Sequence, residues 1–212
     1  MKEIHLPTKA RMTSNLVPDV QLSHGSTLWV LTTMGFSDGV SADTFNHYIK
    51  SLRKFGVPFS YGNAGARVGR PARYSYNHLM ELCVALTLRV YGTLPDPVIS
   101  GLIQFRHDLY TLYRRAYLEY ITDLGAPVRV TAKRRADFAM SGVYLDLRIR
   151  FSGGRTIEFG PPRLLSPFEA LRLYSKLDTP GRAHLPFNLS ALAVRLVEMT
   201  EAAPDIHRGA PP

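Results

Sequence analysis

The stretch from Gly39 to Leu102 most constrains what this 212-residue chain can fold into. Gly39-Val40-Ser41 supplies a tight turn and a good helix N-cap, and Ala42 to Lys54 then carries Phe45, Tyr48, Ile49 and Leu52 at helical spacing. A glycine-rich basic loop follows. Beyond it, Asn77 to Tyr91 sets Leu79, Leu82, Cys83, Leu86 and Val90 on one helical stripe, and Pro95 with Pro97 opens a short helix carrying Val98 and Leu102. A short helix is expected near Thr32 to Ser37, ahead of the turn. Two helices about a tight turn, a basic hairpin and a closing helix are the layout of a winged helix-turn-helix.

Two readings fit the polar side of the helix from Ala42, where Asn46, His47, Lys50, Arg53 and Lys54 are left to solvent or to a ligand. One is an ordinary amphipathic helix with a solvated basic face. The other is a recognition helix whose first turns present Asp43, Thr44, Asn46 and His47 to base edges while Lys50, Arg53 and Lys54 touch phosphates. Residues 56–73 weigh towards the second, because they hold four glycines, three arginines (Arg67, Arg70 and Arg73) and no acid. Arginines on a flexible hairpin reach a phosphate backbone or a narrow minor groove. A nucleotide-cradling loop is disfavoured: Gly-Asn-Ala-Gly-Ala-Arg-Val-Gly is no Walker motif, and no clear strand feeds into it.

Charge agrees with a polyanionic partner. The formal net charge is +9, and residues 1–150 carry most of the excess, with 19 Lys and Arg against 11 Asp and Glu. The single cysteine, Cys83, excludes an intrachain disulfide and a thiolate metal cluster, and its place on an apolar stripe makes it a small core residue. The first residues lack the apolar run of a signal peptide and no stretch has the apolar length of a membrane span, so a cytoplasmic, nucleoid-associated protein with no membrane partner is expected. No His-Glu-x-x-His, Gly-x-Ser-x-Gly or paired-carboxylate spacing is present, and neither enzymatic activity nor a cofactor or metal is expected.

The ordered motifs resemble those of the MerR-like winged helix-turn-helix transcription regulators. Gly39, Val40, Ser41, Thr44 and Tyr48 match that family's turn and recognition helix; Arg73, Tyr74 and Ser75 approximate its wing; Arg89-Val-Tyr-Gly92 matches the end of the next helix. The likeness covers roughly residues 28–104. It departs where the family has Arg-Tyr-Tyr, here Asn46, His47 and Tyr48, and in a longer wing loop. The resemblance implies a bacterial-type regulator with double-stranded DNA as partner and RNA polymerase as a further one. Thr44, Asn46, His47 and Tyr48 would lie at the DNA, Arg67, Arg70, Arg73 and Tyr74 on the wing, and Arg89 on a phosphate.

Residues 105–121 show Phe105, Leu109, Leu112, Tyr113, Ala116, Tyr117 and Tyr120 as one helical seam. In the resembled family a helix at this place pairs two subunits; packing onto the chain's own C-terminal part is the alternative, since the seam spans only about two heptads. Further on, Leu145, Leu147, Ile149 and Phe151 alternate with charged residues, Ser152 to Arg155 turns, and Ile157 and Phe159 resume, predicting a β-hairpin. Ser166-Pro167-Phe168-Glu169 is a capping box for a helix to about Lys176, and Asn188 or Ser190 starts a last helix. The cluster Arg129, Lys133, Arg134 and Arg135 reads as a solvated loop or a secondary phosphate contact.

The expected class is therefore α+β: an N-terminal arm (1–26), a winged helix-turn-helix domain (27–104), a linking or dimerisation helix (105–124), a small C-terminal α+β domain with a β-hairpin (125–203) and a tail (204–212). The expected function is a sequence-specific transcription regulator, a homodimer on an inverted repeat. The alternatives are an architectural or recombination-directing DNA-binding protein, or a protein–protein adaptor built on the same fold.

Overall fold

A computed structural model describes residues 18–59, 72–90, 93–124, 142–152, 156–174 and 182–206. Arg67, Arg70, the Arg129–Arg135 cluster and most of the expected arm and tail lie outside these residues, as does the Ser152–Arg155 turn except for Ser152 itself. The class is α+β.

The first elements are β1 (Gln21–Leu22) and α1 (His24–Thr33). Ser23 caps α1 by accepting from the Ser26 N–H, so the helix begins inside the stretch expected to be an arm and replaces the short helix expected near Thr32. The Ser-x-x-Ser cap ahead of an apolar run was the available signal. Next come α2 (Ala42–Lys54), β2 (Tyr74–Ser75), α3 (Tyr76–Val90) and α4 (Asp96–Ile99), which leads through a 3-10 segment (Ser100–Phe105) into α5 (Arg106–Leu124). β1 pairs antiparallel with β2, Gln21 opposite Ser75 and Leu22 opposite Tyr74.

Helix α3 is apolar nearly all round, with Leu79, Met80, Leu82, Cys83, Val84, Ala85, Leu86 and Leu88 buried, as befits a helix that other elements surround. The seam of α5 packs against the same core. Leu109, Tyr113 and Ala116 are buried, and Phe105, Leu112 and Tyr117 are half-buried against them; the Tyr120 side chain lies outside the description. This seam is therefore occupied within the chain, which corrects its assignment to dimerisation. Two heptads of aromatic residues are too short for a coiled coil and wide enough to cover a neighbouring helix.

The second half forms β3 (Tyr144–Ser152), β4 (Thr156–Phe159), β5 (Arg163–Leu165), α6 (Pro167–Tyr174), β6 (Arg182–Asn188) and α7 (Leu189–Glu201). β3 is central: β6 runs antiparallel along one edge, while β4 and β5 share the other. The expected hairpin is β3–β4, with Ser152 opposite Thr156. Leu145, Leu147 and Ile149 face the core. Asp146, on the other side, is fully buried and accepts from Arg163 Nε at 2.8 Å, with His184 Nδ1 at 3.0 Å. The capping box closes as read, Glu169 accepting from the Ser166 N–H at 2.8 Å, and Asn188 caps α7. Buried residues from α1 to α7 form one hydrophobic cluster that runs uninterrupted across the boundaries expected at 104 and 125.

Two glycines fix how the halves meet. Gly142 has φ +88°, and a Cβ there would lie 2.7 Å from Ser190 Cβ. Ser190 is fully buried, accepts from the Val143 N–H at 3.0 Å and donates to the Ala116 carbonyl at 3.1 Å, tying β3 and α7 to α5. Gly142→Ala should combine left-handed strain with overpacking and lower stability by about 2–3 kcal/mol, read as a fall in urea midpoint with an unchanged slope. At Gly25, a Cβ would lie 2.7 Å from Ile206 Cγ2, because residues 203–206 cross the first turn of α1. There Ser23 donates to the Ile206 carbonyl at 2.7 Å and Ser26 donates to the Pro204 carbonyl at 2.8 Å.

Candidate nucleic-acid interface

The candidate interface rests on the segment between α1 and α2. The backbone reverses through Gly35 (φ +93°) and Gly39 (φ +80°), with Phe36 N–H bonding the Leu31 carbonyl and Val40 N–H the Ser37 carbonyl. Nothing lies within 4 Å of where a Cβ of Gly39 would be, so its positive φ is what calls for glycine there. Ser41 caps α2 at the Thr44 N–H; Asp43 in the first turn and Arg53 and Lys54 in the last suit the helix dipole. Phe45, Ile49 and Leu52 bury one edge of α2.

The opposite edge is polar and open. Asp43, Thr44, His47, Lys50 and Lys54 are exposed, and Arg53 is half-buried. The Thr44 hydroxyl is 2.9 Å from that of Ser41 and stays exposed. Lys50, Arg53, Lys54 and Phe59 line a notch of about 240 Å³, with the Arg53 guanidinium 5.6 Å from the Phe59 ring. Arg73 is exposed just ahead of β2. Four cations thus border α2's C-terminal half and the strand that follows the basic loop.

Several expected contact residues face inward instead. Tyr74 is fully buried between Phe59 (5.1 Å between rings) and His24, which corrects its placement at the DNA: its position opposite Leu22 in β2 turns it into the core. Burial pushes its hydroxyl up despite the opposing Arg53 charge, so it remains an O–H donor. It lies 3.1 Å from His24 Nδ1, and His24 Nε2 lies 3.1 Å from Asn46 Oδ1. A neutral imidazole with its proton on Nε2 satisfies both. Asn46, half-buried, therefore locks α2 to α1 and β2, and its expected base contact is replaced by this positioning role.

Tyr48 and Arg89 form a second inward cluster. The Arg89 guanidinium sits over the Tyr48 ring at 3.9 Å and pairs with Asp96, which also accepts from the Ser51 hydroxyl at 2.5 Å. Arg89 thus joins α2, α3 and α4, correcting its assignment to a phosphate; Asp96, buried seven residues on, is the nearer anion. Nothing in the i, i+7 spacing announced this pair, because Arg89 lies at the end of α3 and Asp96 opens a separate helix, α4.

Sequence reasoning also missed the group beneath α2's C-terminus. Glu81, buried on α3, accepts from Arg106 Nη2 at 2.7 Å, from Arg106 Nε at 3.0 Å and from the Tyr110 hydroxyl at 2.7 Å, while Arg106 Nη2 also reaches the Gly56 carbonyl at 2.5 Å. Burial pushes the Glu81 carboxyl up, and the Arg106 charge and both hydrogen-bond donors pull it back. Beside it, burial and Arg106 hold the His78 imidazole below its ordinary value, and its Nδ1 accepts from the Ser75 N–H at 3.3 Å. One acid in an otherwise apolar stripe was the signal available for this site.

No family model, curated protein or solved structure matches this chain. Among the described residues, no group of three or more His, Cys, Asp or Glu converges as a metal site, and no helix is long and apolar enough to cross a membrane. Burial pushes the Cys83 thiol up, away from thiolate chemistry.

Proposed function

We propose that this chain is a sequence-specific DNA-binding regulator of transcription, built on a MerR-like winged helix-turn-helix. The observation that carries the reading is the open face of α2: an exposed polar edge of Asp43, Thr44 and His47, continued by Lys50, Arg53 and Lys54, with Arg73 alongside. Three features support it. α1 and α2 flank a glycine turn; β1 pairs with the strand that follows the basic loop; and the helix is held from behind by Asn46–His24–Tyr74 and by Arg89–Asp96. A rigidly held helix keeps its outer side chains in register with base edges.

In this reading α2 enters the major groove, where Thr44 and His47 meet base edges, and the basic notch and Arg73 take backbone phosphates. Arg67 and Arg70, which the resemblance assigns to the wing, lie outside the described residues. No chemistry on the DNA is part of the proposal, and RNA polymerase is the partner through which bound protein would act.

Selection of fragments from a genomic library by the purified chain, repeated at two salt concentrations, tests it. Enrichment of one site that survives the higher salt is the expected result. Uniform binding lost with salt would favour an architectural role, and no binding at low salt would overturn the reading in favour of a protein adaptor.

A further inference from the structure

Asp146 is fully buried, yet it lies on the face of β3 that turns away from the main core, alternating with Leu145 and Leu147. A buried carboxylate is costly unless it is paired. Its Oδ2 accepts from Arg163 Nε at 2.8 Å, and its Oδ1 lies 3.0 Å from His184 Nδ1. Arg163 stands opposite it on β5, and His184 stands opposite Arg148 on β6. Asp146 thus fixes one edge of a guanidinium and one edge of an imidazole, while both side chains stay open to solvent, Arg163 at 47% exposure and His184 at 21%.

Arg148 completes the group. The Gly160 N–H donates to the Arg148 carbonyl at 2.8 Å, and the Arg148 side chain lies across Gly160, where a Cβ would be 3.6 Å from Nε. Its Nη2 is 3.3 Å from the Pro161 carbonyl and its Nε is buried with no partner. Pro161 is two residues ahead of Arg163, so the passage from β4 to β5 brings the two arginines to one place on this face. Among the described residues, nothing takes up Arg163 Nη1 and Nη2, Arg148 Nη1 or His184 Nε2.

Donors carried on three strands approach from several directions, which suits the oxygens of a tetrahedral anion better than a planar carboxylate, for which one arginine fork suffices. The two arginines outweigh Asp146 by one charge, and Arg150 faces Glu158 across the strand pair. Glu169 opposes an anion there, being within electrostatic reach of Arg163, but it is engaged by the Ser166 N–H and hydroxyl. His184 narrows the class. With its Nδ1–H given to Asp146, the neutral ring presents Nε2 as an acceptor. A terminal phosphate can pass that nitrogen the proton of its own P–OH and keep the charge so formed on oxygens that face the arginines; a backbone diester has no proton to give.

We infer that this face of the sheet binds the terminal phosphate of a phosphomonoester. The site shares no residue with the α2 face and does not rest on the DNA reading.

Titration of the nitrogen-15-labelled full chain with phenyl phosphate, followed by two-dimensional NMR without DNA, tests it. The Arg148 and Arg163 Nε–H signals and the His184 ring signals should move together, and methyl phenyl phosphate and benzoate should bind about tenfold more weakly or worse. Arg148→Gln removes a guanidinium that pairs with no acid, so it should weaken phenyl phosphate binding by about tenfold or more with an unchanged melting temperature. His184→Gln should erase the preference for monoester over diester, and Arg150→Gln, on the same face, should change neither. Signals that stay still, signals that move equally for all three probes, or an Arg148→Gln chain that binds as the wild type does overturns the proposal. So does a DNA duplex that moves these signals at lower concentration than phenyl phosphate, which would give the face to the nucleic-acid backbone.

Discussion

Arg106→Met should lower stability by about 3–5 kcal/mol at neutral pH, the penalty for leaving a buried carboxylate without its cation. Glu81 is only 5% exposed, and Arg106 supplies most of its hydrogen bonds; Tyr110 alone remains in the variant. For a chain of this size the loss corresponds to a melting temperature lower by about 6–20 °C. Its pH dependence separates lost charge pairing from lost packing. Burial already holds the Glu81 carboxyl above its ordinary value, and Arg106 is the principal opposing influence, so its removal raises the carboxyl further. A carboxyl raised in the folded state binds its proton more tightly there than in the unfolded chain. Stability then falls as pH rises through the carboxyl's range and recovers as pH falls. The variant's deficit should therefore be greatest at neutral pH and shrink on acidification. A deficit that is the same at both pH values would place the effect in Arg106 packing and in its bond to the Gly56 carbonyl.

Replacing Lys50, Arg53 and Lys54 together by Gln should weaken DNA binding by about two to three decades at 0.1 M salt. Each phosphate contact contributes about 0.9 to the slope of log affinity against log salt, so three contacts remove about 2.7. These side chains border an open notch, and their replacement should leave the melting temperature within a few degrees. Arg89→Gln is the informative control. It breaks the Asp96 pair and the stack on Tyr48, so it should lower stability while leaving the salt slope unchanged. Both are read by fluorescence anisotropy titrations over a salt series beside thermal melts. A triple variant that binds with the wild-type slope would remove α2 from the interface.

What the sequence made legible was whatever depends on local pattern. Phe45, Ile49 and Leu52 marked α2's buried edge, Ser41 and Asn188 marked caps, the Ser166–Glu169 spacing marked a helix start, and the alternation around Ile149 marked the β3–β4 pair. The failures share one cause: long polar side chains choose partners through tertiary geometry. The resemblance places Tyr48 and Arg89 at the DNA, although Tyr48 also falls on α2's apolar stripe; they stack on one another above Asp96. Asn46 sits at a helical position suited to a groove, but His24 lies 3.1 Å away on another helix. The resemblance places Tyr74 on the wing; that it faces the core depends on pairing with Leu22, whose strand falls in the stretch read as an arm. The α5 seam showed that one face is buried without showing by whom.

The strap formed by residues 203–206 gives the first helix of the candidate interface an unusual dependence. The hydrogen bonds from Ser23 and Ser26 to Ile206 and Pro204 join positions about 180 residues apart. Closing a loop of that length is entropically unfavourable until the intervening elements have condensed, and contacts so distant in the chain slow folding. The N-terminal turn of α1, which carries His24 and through it orients Asn46 on α2, gains these bonds only when residues 203–206, just past α7, lie against it. The first turn of α1 thus depends on residues 203–206, and where these are not seated α2 lacks one of its braces.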